Sequence, residues 1–199
     1  MSLPLCEESI HEGCPHESNY SYAFAKRLVE PSIRAYRTEY ELNVIGFVPN
    51  GIFGENDNFD IESSTFIAAL LHRFYENKDS DAPITVWGDG TALREITYSK
   101  DIARACMWGV FYYDSGEILN IGTTEEHSIR DIAFMIADAL DINRERIVFD
   151  SSRPNGIFRK STSNSKFLRL SGFHYTPFRE GLKNTVQWLK EHHPVGFKA

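Results

Sequence analysis

The sequence predicts an α/β protein, and three observations carry that prediction. Short apolar runs rich in β-branched residues recur, as in Asn43–Val48, Ile84–Trp87 and Ile118–Ile121, and they read as buried strands. Helix-length stretches with apolar residues at i, i+3 and i+4 spacing alternate with those runs, the pattern of a sheet wound with crossover helices. A hydrophobic content of 42% with 25% charged residues over 199 positions is that of a globular chain long enough to bury a core without disulfides.

Residues 1–17 are polar and carry Pro4, Gly13 and Pro15, so they read as loop. Ser18 and Asn19 are favourable N-cap residues, and a helix is predicted from about Tyr20 to Tyr40, kinked where Pro31 removes a backbone bond. Its apolar positions Phe24, Leu28, Ala35 and Tyr36 form a one-sided stripe suited to a sheet or a partner helix. The strand Asn43–Val48 is closed by Pro49 and followed by a long loop over 50–59. That loop would stand at the carboxyl end of a parallel strand, where α/β proteins place ligands.

A helix over about Ser63–Asn77 carries Phe66, Ile67, Leu70, Leu71 and Phe74 on one side. Strand Ile84–Trp87 precedes Gly88-Asp89-Gly90, which reads as a hairpin turn into strand Ile96–Tyr98. A helix over Ser99–Tyr113 and the strand Ile118–Ile121 follow. Ser128 caps a helix reaching Leu140, with Asp131 at the capping-box position. Arg146–Phe149 is a strand, 151–161 a polar loop, and Phe178–His193 the last helix.

The formal charge of −7 argues against a general nucleic-acid or membrane-surface role, because binding a phosphate backbone requires a basic footprint. An anionic small molecule would need a local cationic pocket. No apolar run approaches the ~18 residues of a membrane span, and Met1-Ser2-Leu3-Pro4 is not a signal peptide. Cys6, Cys14 and Cys106 are an odd number without paired spacing, which fits free thiols in a reducing cytoplasm. Cys14-Pro15-His16 near Cys6 lacks a second pair of zinc ligands, so no metal is expected.

Tyr22 and Lys26 are the candidate catalytic pair. At i and i+4 on a helix they share one face. A tyrosine titrates near pH ~10, and a neighbouring ammonium favours the phenolate and turns the phenol into a usable acid or base. Tyr20 has no such partner, because Phe24 stands four residues on. The spacing alone is common; the segments around it give it weight.

Tyr22 and Lys26, Pro49-Asn50-Gly51-Ile52-Phe53-Gly54 with Asp57-Asn58-Phe59, Arg73, Val86-Trp87-Gly88 with Leu93-Arg94-Glu95, and Arg159-Lys160 occur in an order that resembles the extended, nucleotide-sugar branch of the short-chain dehydrogenase/reductases. Within that branch the sequence is similar to the GDP-L-fucose synthases, which carry out NADPH-dependent 3,5-epimerisation and 4-reduction of GDP-4-keto-6-deoxymannose. The resemblance implies a Rossmann-type fold with a small α/β substrate domain. It divides the chain into 1–60, the end of the dinucleotide-binding domain, and 61–199, the substrate domain, some of whose segments return to the first.

It also implies roles. Tyr22 would exchange a proton with the sugar, and Lys26 would support Tyr22 and hold the nicotinamide ribose. Pro49, Asn50, Gly51 and Ile52 would pass the nicotinamide end of NADP, with NAD as the alternative. Arg73, Trp87, Arg94 and Lys160 would hold the sugar nucleotide. A homodimer through the Tyr22-bearing helix is implied as well.

Two departures from the family stand out. Thr65 occupies the position of a family histidine that acts as a general acid in epimerisation, and His72 is no obvious substitute. The chain also lacks a strand followed by Gly-x-Gly-x-x-Gly and a helix, the phosphate cradle of dinucleotide-binding domains; the nearest string, Gly88-Asp89-Gly90-Thr91-Ala92-Leu93, lacks the third glycine. The expectation is therefore the C-terminal portion of such an enzyme, inactive by itself, with the glycine-rich βαβ unit absent. An NAD-dependent 4-epimerase or 4,6-dehydratase, and a non-catalytic nucleotide-sugar-binding module, remain alternatives.

Overall fold

The apolar periodicity is realised as helices packed on short parallel strands in a computed structural model, which describes residues 3–193 and Phe197. Met1 and Ser2 of the predicted N-terminal loop, and the last residues of the predicted substrate domain other than Phe197, lie outside the described residues.

The elements run α1 (Tyr20–Arg27), α2 (Val29–Tyr40), β1 (Phe47–Pro49), β2 (Gly51–Phe53), α3 (Phe66–Glu76), β3 (Ile84–Trp87), β4 (Leu93–Tyr98), α4 (Ser99–Tyr112), β5 (Leu119–Ile121), β6 (Glu126–Ser128), α5 (Ile129–Ala139), β7 (Ile147–Asp150), β8 (Arg159–Lys160), α6 (Ser165–Ser171) and α7 (Phe178–His192). β1 pairs with β5, and β3 with β7, both in parallel. β4 is the centre of the remaining sheet, with β6 antiparallel on one edge, and β8 and β2 parallel to its start and end.

The main core joins β2 and β4 to α3, α5 and α7 through Phe53, Phe74, Ile132, Ile136 and Leu182. The helical stripe of α3 is buried as its periodicity implies, with Ile67, Leu70, Leu71 and Phe74 inward, although Phe66 at its start is exposed. Ser128 does cap α5: its hydroxyl accepts the Asp131 N–H at 3.0 Å and donates to Asp131 Oδ2 at 2.5 Å. A smaller core lies beside β1 and β5, where Phe167, Leu119, Ile121 and Ala105 meet Phe47 and Trp108.

Several elements differ from expectation. The predicted helix over 20–40 breaks at Leu28 rather than at Pro31, which sits in the first turn of α2, where a missing N–H costs no helical bond. Asn19 is the N-cap by position but makes no capping bond. The expected stripe is uncovered: Phe24, Leu28 and Tyr36 are exposed, and Ile33 is the residue α2 buries. Ile33 packs over Gly46, whose side-chain space it fills.

The glycine-rich stretch after β1 is not all loop. Gly51 allows β2 to dock on β4, since a Cβ there would stand 3.0 Å from the Glu95 carbonyl. Pro49 ends inside β1 instead of closing it. Gly88-Asp89-Gly90 is no hairpin, because β3 pairs with β7 and not with β4. Instead the turn is held by Asn155, whose Oδ1 accepts the Asp89 N–H at 2.7 Å. The polar loop 151–161 contains β8, and the short strand β6 and the short helix α6 had no clear signal.

Candidate active site

The N-terminal segment, the end of β1, the start of β2 and the edge of β4 enclose a cavity of about 490 Å³. Its wall includes Cys6 and Glu7, Pro49 to Ile52, Thr65, Arg94 and Glu95, and Lys160 with Thr162. The N-terminal segment is tied in place by the backbone: Leu5 donates to the Ser161 carbonyl and accepts from the Ser163 N–H, both at 2.9 Å. Glu7 Oε1 accepts the Asn120 N–H at 2.9 Å, fixing that wall to β5.

Arg94 and Lys160 are register partners on neighbouring strands, so strand spacing alone places their backbones about 5 Å apart. Among the described residues neither is in an ion pair. Arg159, by contrast, is neutralised by Glu126 at 2.5 Å. Arg94 Nη1 donates to the Leu93 and Ile157 carbonyls at 2.7 and 2.8 Å, and its second amino group has no partner among the described residues. Burial pushes the Arg94 guanidinium below its ordinary pKa. Arg27, Arg94 and Lys160 outnumber Glu7 and Glu95 in the cavity wall, which gives the local cationic balance an anion needs on an acidic protein.

Arg73 and Trp87 lie beyond the cavity wall, at the β3–β7 sheet. Arg73 Nη1 donates to the Thr85 carbonyl at 2.6 Å, and its guanidinium stands 5.9 Å from the centre of the Trp87 ring. Arg153 stands 5.3 Å from the same ring, and Trp87 is 58% exposed. The 153–157 loop connects this cluster to the cavity, since Arg153 meets Trp87, Asn155 meets the Gly88-Asp89 turn and Ile157 meets Arg94.

Asn50 lines the cavity but turns its amide inward. Its Oδ1 accepts from the Thr97 hydroxyl at 2.6 Å, and its Nδ2 donates to the Thr123 carbonyl at 2.8 Å. Any ligand contact at Pro49, Asn50, Gly51 or Ile52 is thus left to the backbone and to the apolar Ile52.

Tyr22 and Lys26 share one face of α1, with Lys26 Nζ 5.5 Å from the centre of the Tyr22 ring. Tyr22 is 65% exposed, so the phenol is not sealed in the interior. The pair stands outside the cavity wall, to which α1 contributes Arg27. Arg27 in turn holds the Glu12 and Gly13 carbonyls at 2.9 Å.

Thr65, the N-cap of α3, faces the cavity. His72 does not: it bonds the Phe59 carbonyl and stacks on Phe197. Sequence reasoning missed Glu95 as a site group. It is only 6% exposed, burial raises its pKa from the ordinary carboxylate value against the opposing bonds from Thr162 and Asn50, and no periodicity marks a charged residue as buried. Cys6, Cys14 and Cys106 are free thiols, and no metal-ligating cluster occurs among the described residues.

A profile of the NAD dependent epimerase/dehydratase family matches residues 4–122. The chain belongs to that family. It is similar to a GDP-L-fucose synthase of Dictyostelium discoideum, 33% identical over 99% of this chain and 62% of that protein. Its fold matches a crystal structure of a GDP-L-fucose synthetase from Naegleria fowleri, with a TM-score of 0.92 and 36% identity over 100% of this chain and 63% of that one. A second structure of the Naegleria protein, bound to NADP, matches equally well over 64% of its length. The chain therefore spans less than two thirds of these relatives, and its α/β fold is that of a portion of a Rossmann-type extended short-chain dehydrogenase/reductase. No helix among the described residues is long and apolar enough to cross a membrane.

Proposed function

We propose that this chain supplies the substrate-binding portion and the tyrosine-lysine couple of a nucleotide-sugar epimerase/reductase that acts on a GDP-linked 4-keto sugar. The observation that carries the reading is the register pairing of Arg94 with Lys160 at a cavity that also includes Pro49–Ile52. A guanidinium and an ammonium without carboxylate partners suit a diphosphate, which arginine can grip with two parallel bonds. Trp87 between Arg73 and Arg153 extends the same cationic edge and offers a flat apolar face.

In this reading residues 1–60 complete the dinucleotide-binding domain and 61–199 form the substrate domain. The pairing of β1 with β5 supports segments returning from the second to the first. Pro49–Ile52 offer backbone and the apolar Ile52 side chain at the cavity, which supports reading them as the place for the nicotinamide end of NADP. Lys26, from outside that wall, and that backbone would hold it, and the reduced form, NADPH, would supply the hydride. Tyr22, which stands outside this cavity's wall with Lys26 Nζ 5.5 Å from its ring, would exchange the proton at the sugar oxygen in the complete enzyme. Thr65 at the cavity has no proton to give near neutrality, so reduction is favoured over 3,5-epimerisation. The uncovered apolar residues of α1 and α2 support a homodimer through the Tyr22-bearing helix, and free thiols support a cytoplasmic setting.

The test is NADPH oxidation with GDP-4-keto-6-deoxymannose by a chain that includes a glycine-rich dinucleotide-binding half, encoded with this one or joined to it from a relative. Tyr22→Phe should lower kcat by at least a hundredfold, and Arg94→Ala should raise KM about tenfold. Unchanged kinetics in Tyr22→Phe would remove its assigned role. The 199-residue chain by itself should bind GDP and show no turnover.

A further inference from the structure

Glu95 lies on β4 between two residues whose partners approach the same edge: Arg94, paired with Lys160 of β8, and Ile96, paired with Gly51 of β2. Its carboxylate therefore stands at the gap between β8 and β2, at the cavity wall. Three donors converge on one oxygen. Glu95 Oε2 accepts the Thr162 N–H at 3.0 Å, the Thr162 hydroxyl at 2.9 Å and, at longer range, Asn50 Nδ2 at 3.4 Å. The strand it secures is short: β8 has two residues, both exposed. Its pairing with β4 is pinned at one end by the Leu93 N–H to the Phe158 carbonyl at 2.8 Å. On the far side Arg159 is pinned by Glu126. Among the described residues the Lys160 side chain makes no hydrogen bond or ion pair, so its placement depends on what holds the residues around it.

We propose that Glu95 is a positioning residue for anion binding: by clamping Thr162 it holds the Lys160 strand in register with Arg94, so that both cations meet one diphosphate. The proposal rests on the nucleotide-sugar reading of the cavity. A buried acidic group beside two cations would otherwise weaken an anion site, and it is tolerated here because its charge is spent on the two Thr162 donors. Glutamine can place its carbonyl oxygen where Oε2 stands and accept the same bonds, whereas alanine leaves the Thr162 N–H and hydroxyl without acceptors.

Two measurements on the 199-residue chain test this: amide hydrogen exchange across 159–163, and GDP binding by calorimetry. In Glu95→Ala the Thr162 amide should exchange at least tenfold faster while amides of α5 and α7 are unchanged, and GDP should bind about tenfold more weakly. Glu95→Gln should stay within threefold of the wild type in both. Should Glu95→Ala not fold, Thr162→Val, which removes the hydroxyl donor alone, should weaken GDP about threefold. Unchanged GDP affinity in Thr162→Val, unchanged Thr162 exchange in Glu95→Ala, faster exchange with unaltered GDP affinity, or a glutamine variant as impaired as alanine would each overturn the proposal. A wild-type chain that binds no GDP would refute the nucleotide reading instead, and the exchange data would still judge the clamp.

Discussion

Replacing Asn50 with alanine removes the junction at which β1, β4 and the turn after β5 meet. In the wild type, Asn50 Oδ1 takes the proton of the Thr97 hydroxyl at 2.6 Å, and Nδ2 satisfies the Thr123 carbonyl at 2.8 Å. Thr97 is 1% exposed and Thr123 9%, so water does not readily replace either bond. Thr97 Oγ1 also accepts the Thr123 N–H at 2.8 Å, so its oxygen stays occupied while its proton is orphaned. Stranding a buried donor and a buried acceptor costs about 1–3 kcal/mol each. Asn50→Ala should therefore lose about 2–6 kcal/mol, read as a fall of roughly 1–2 M in the urea midpoint at unchanged slope. Asn50→Asp keeps the acceptor for Thr97 but sets a carboxylate against the Thr123 carbonyl and Glu95, so its deficit should match that of alanine at neutral pH and shrink on acidification. A loss below about 0.5 kcal/mol in Asn50→Ala, the size of an ordinary surface change, would refute the claim that this amide organises the cavity wall.

Phe74→Ala empties a fully buried position between α3 and the central sheet and should cost about 3–5 kcal/mol in chemical denaturation. Ser128→Ala deletes the cap of α5 and should cost about 1 kcal/mol, with Ser128→Asn retaining most of it. Stability should also depend on Glu55. Burial raises its pKa, but hydrogen bonds from Lys100 and Tyr98 outweigh that and hold the carboxyl below its ordinary value. A lowered folded-state pKa stabilises the protein above the unfolded pKa of about 4.3 and ceases to do so as pH falls through the folded value. Glu55→Gln should thus be less stable than the wild type at pH 7, with the gap closing on acidification below about pH 4; a gap that persists at low pH would show that charge is not its origin.

Much of the secondary structure was legible because helical periodicity records which face is buried. The stripe of α3 and the Ser128 cap of α5 are local signals, complete within a few residues, and both are realised. The stripe on α1 and α2 misled, because apolar spacing specifies a face and not the surface that covers it; Phe24, Leu28 and Tyr36 are uncovered. The hairpin reading of Gly88-Asp89-Gly90 failed for a similar reason. Two glycines with φ of +86° and +82° define a turn, but a turn does not say which strand comes next to which. β2 and β8 were hidden because two- and three-residue strands carrying glycine or adjacent cations have no pattern of their own.

By itself the sequence determined that Tyr22 and Lys26 share a face one helical turn apart, since that follows from the pitch of an α-helix, and that no described helix could cross a membrane, since that follows from composition. Only the tertiary structure decided that Arg94 and Lys160 are neighbours, that Asn50 spends its amide on the interior, and that Glu95 is buried with Thr162 on its carboxylate. The physical reason is the reach of each constraint. Helical pitch and capping act over a single turn, whereas strand register depends on the packing of the whole sheet and its helices, which brings distant segments together at one edge.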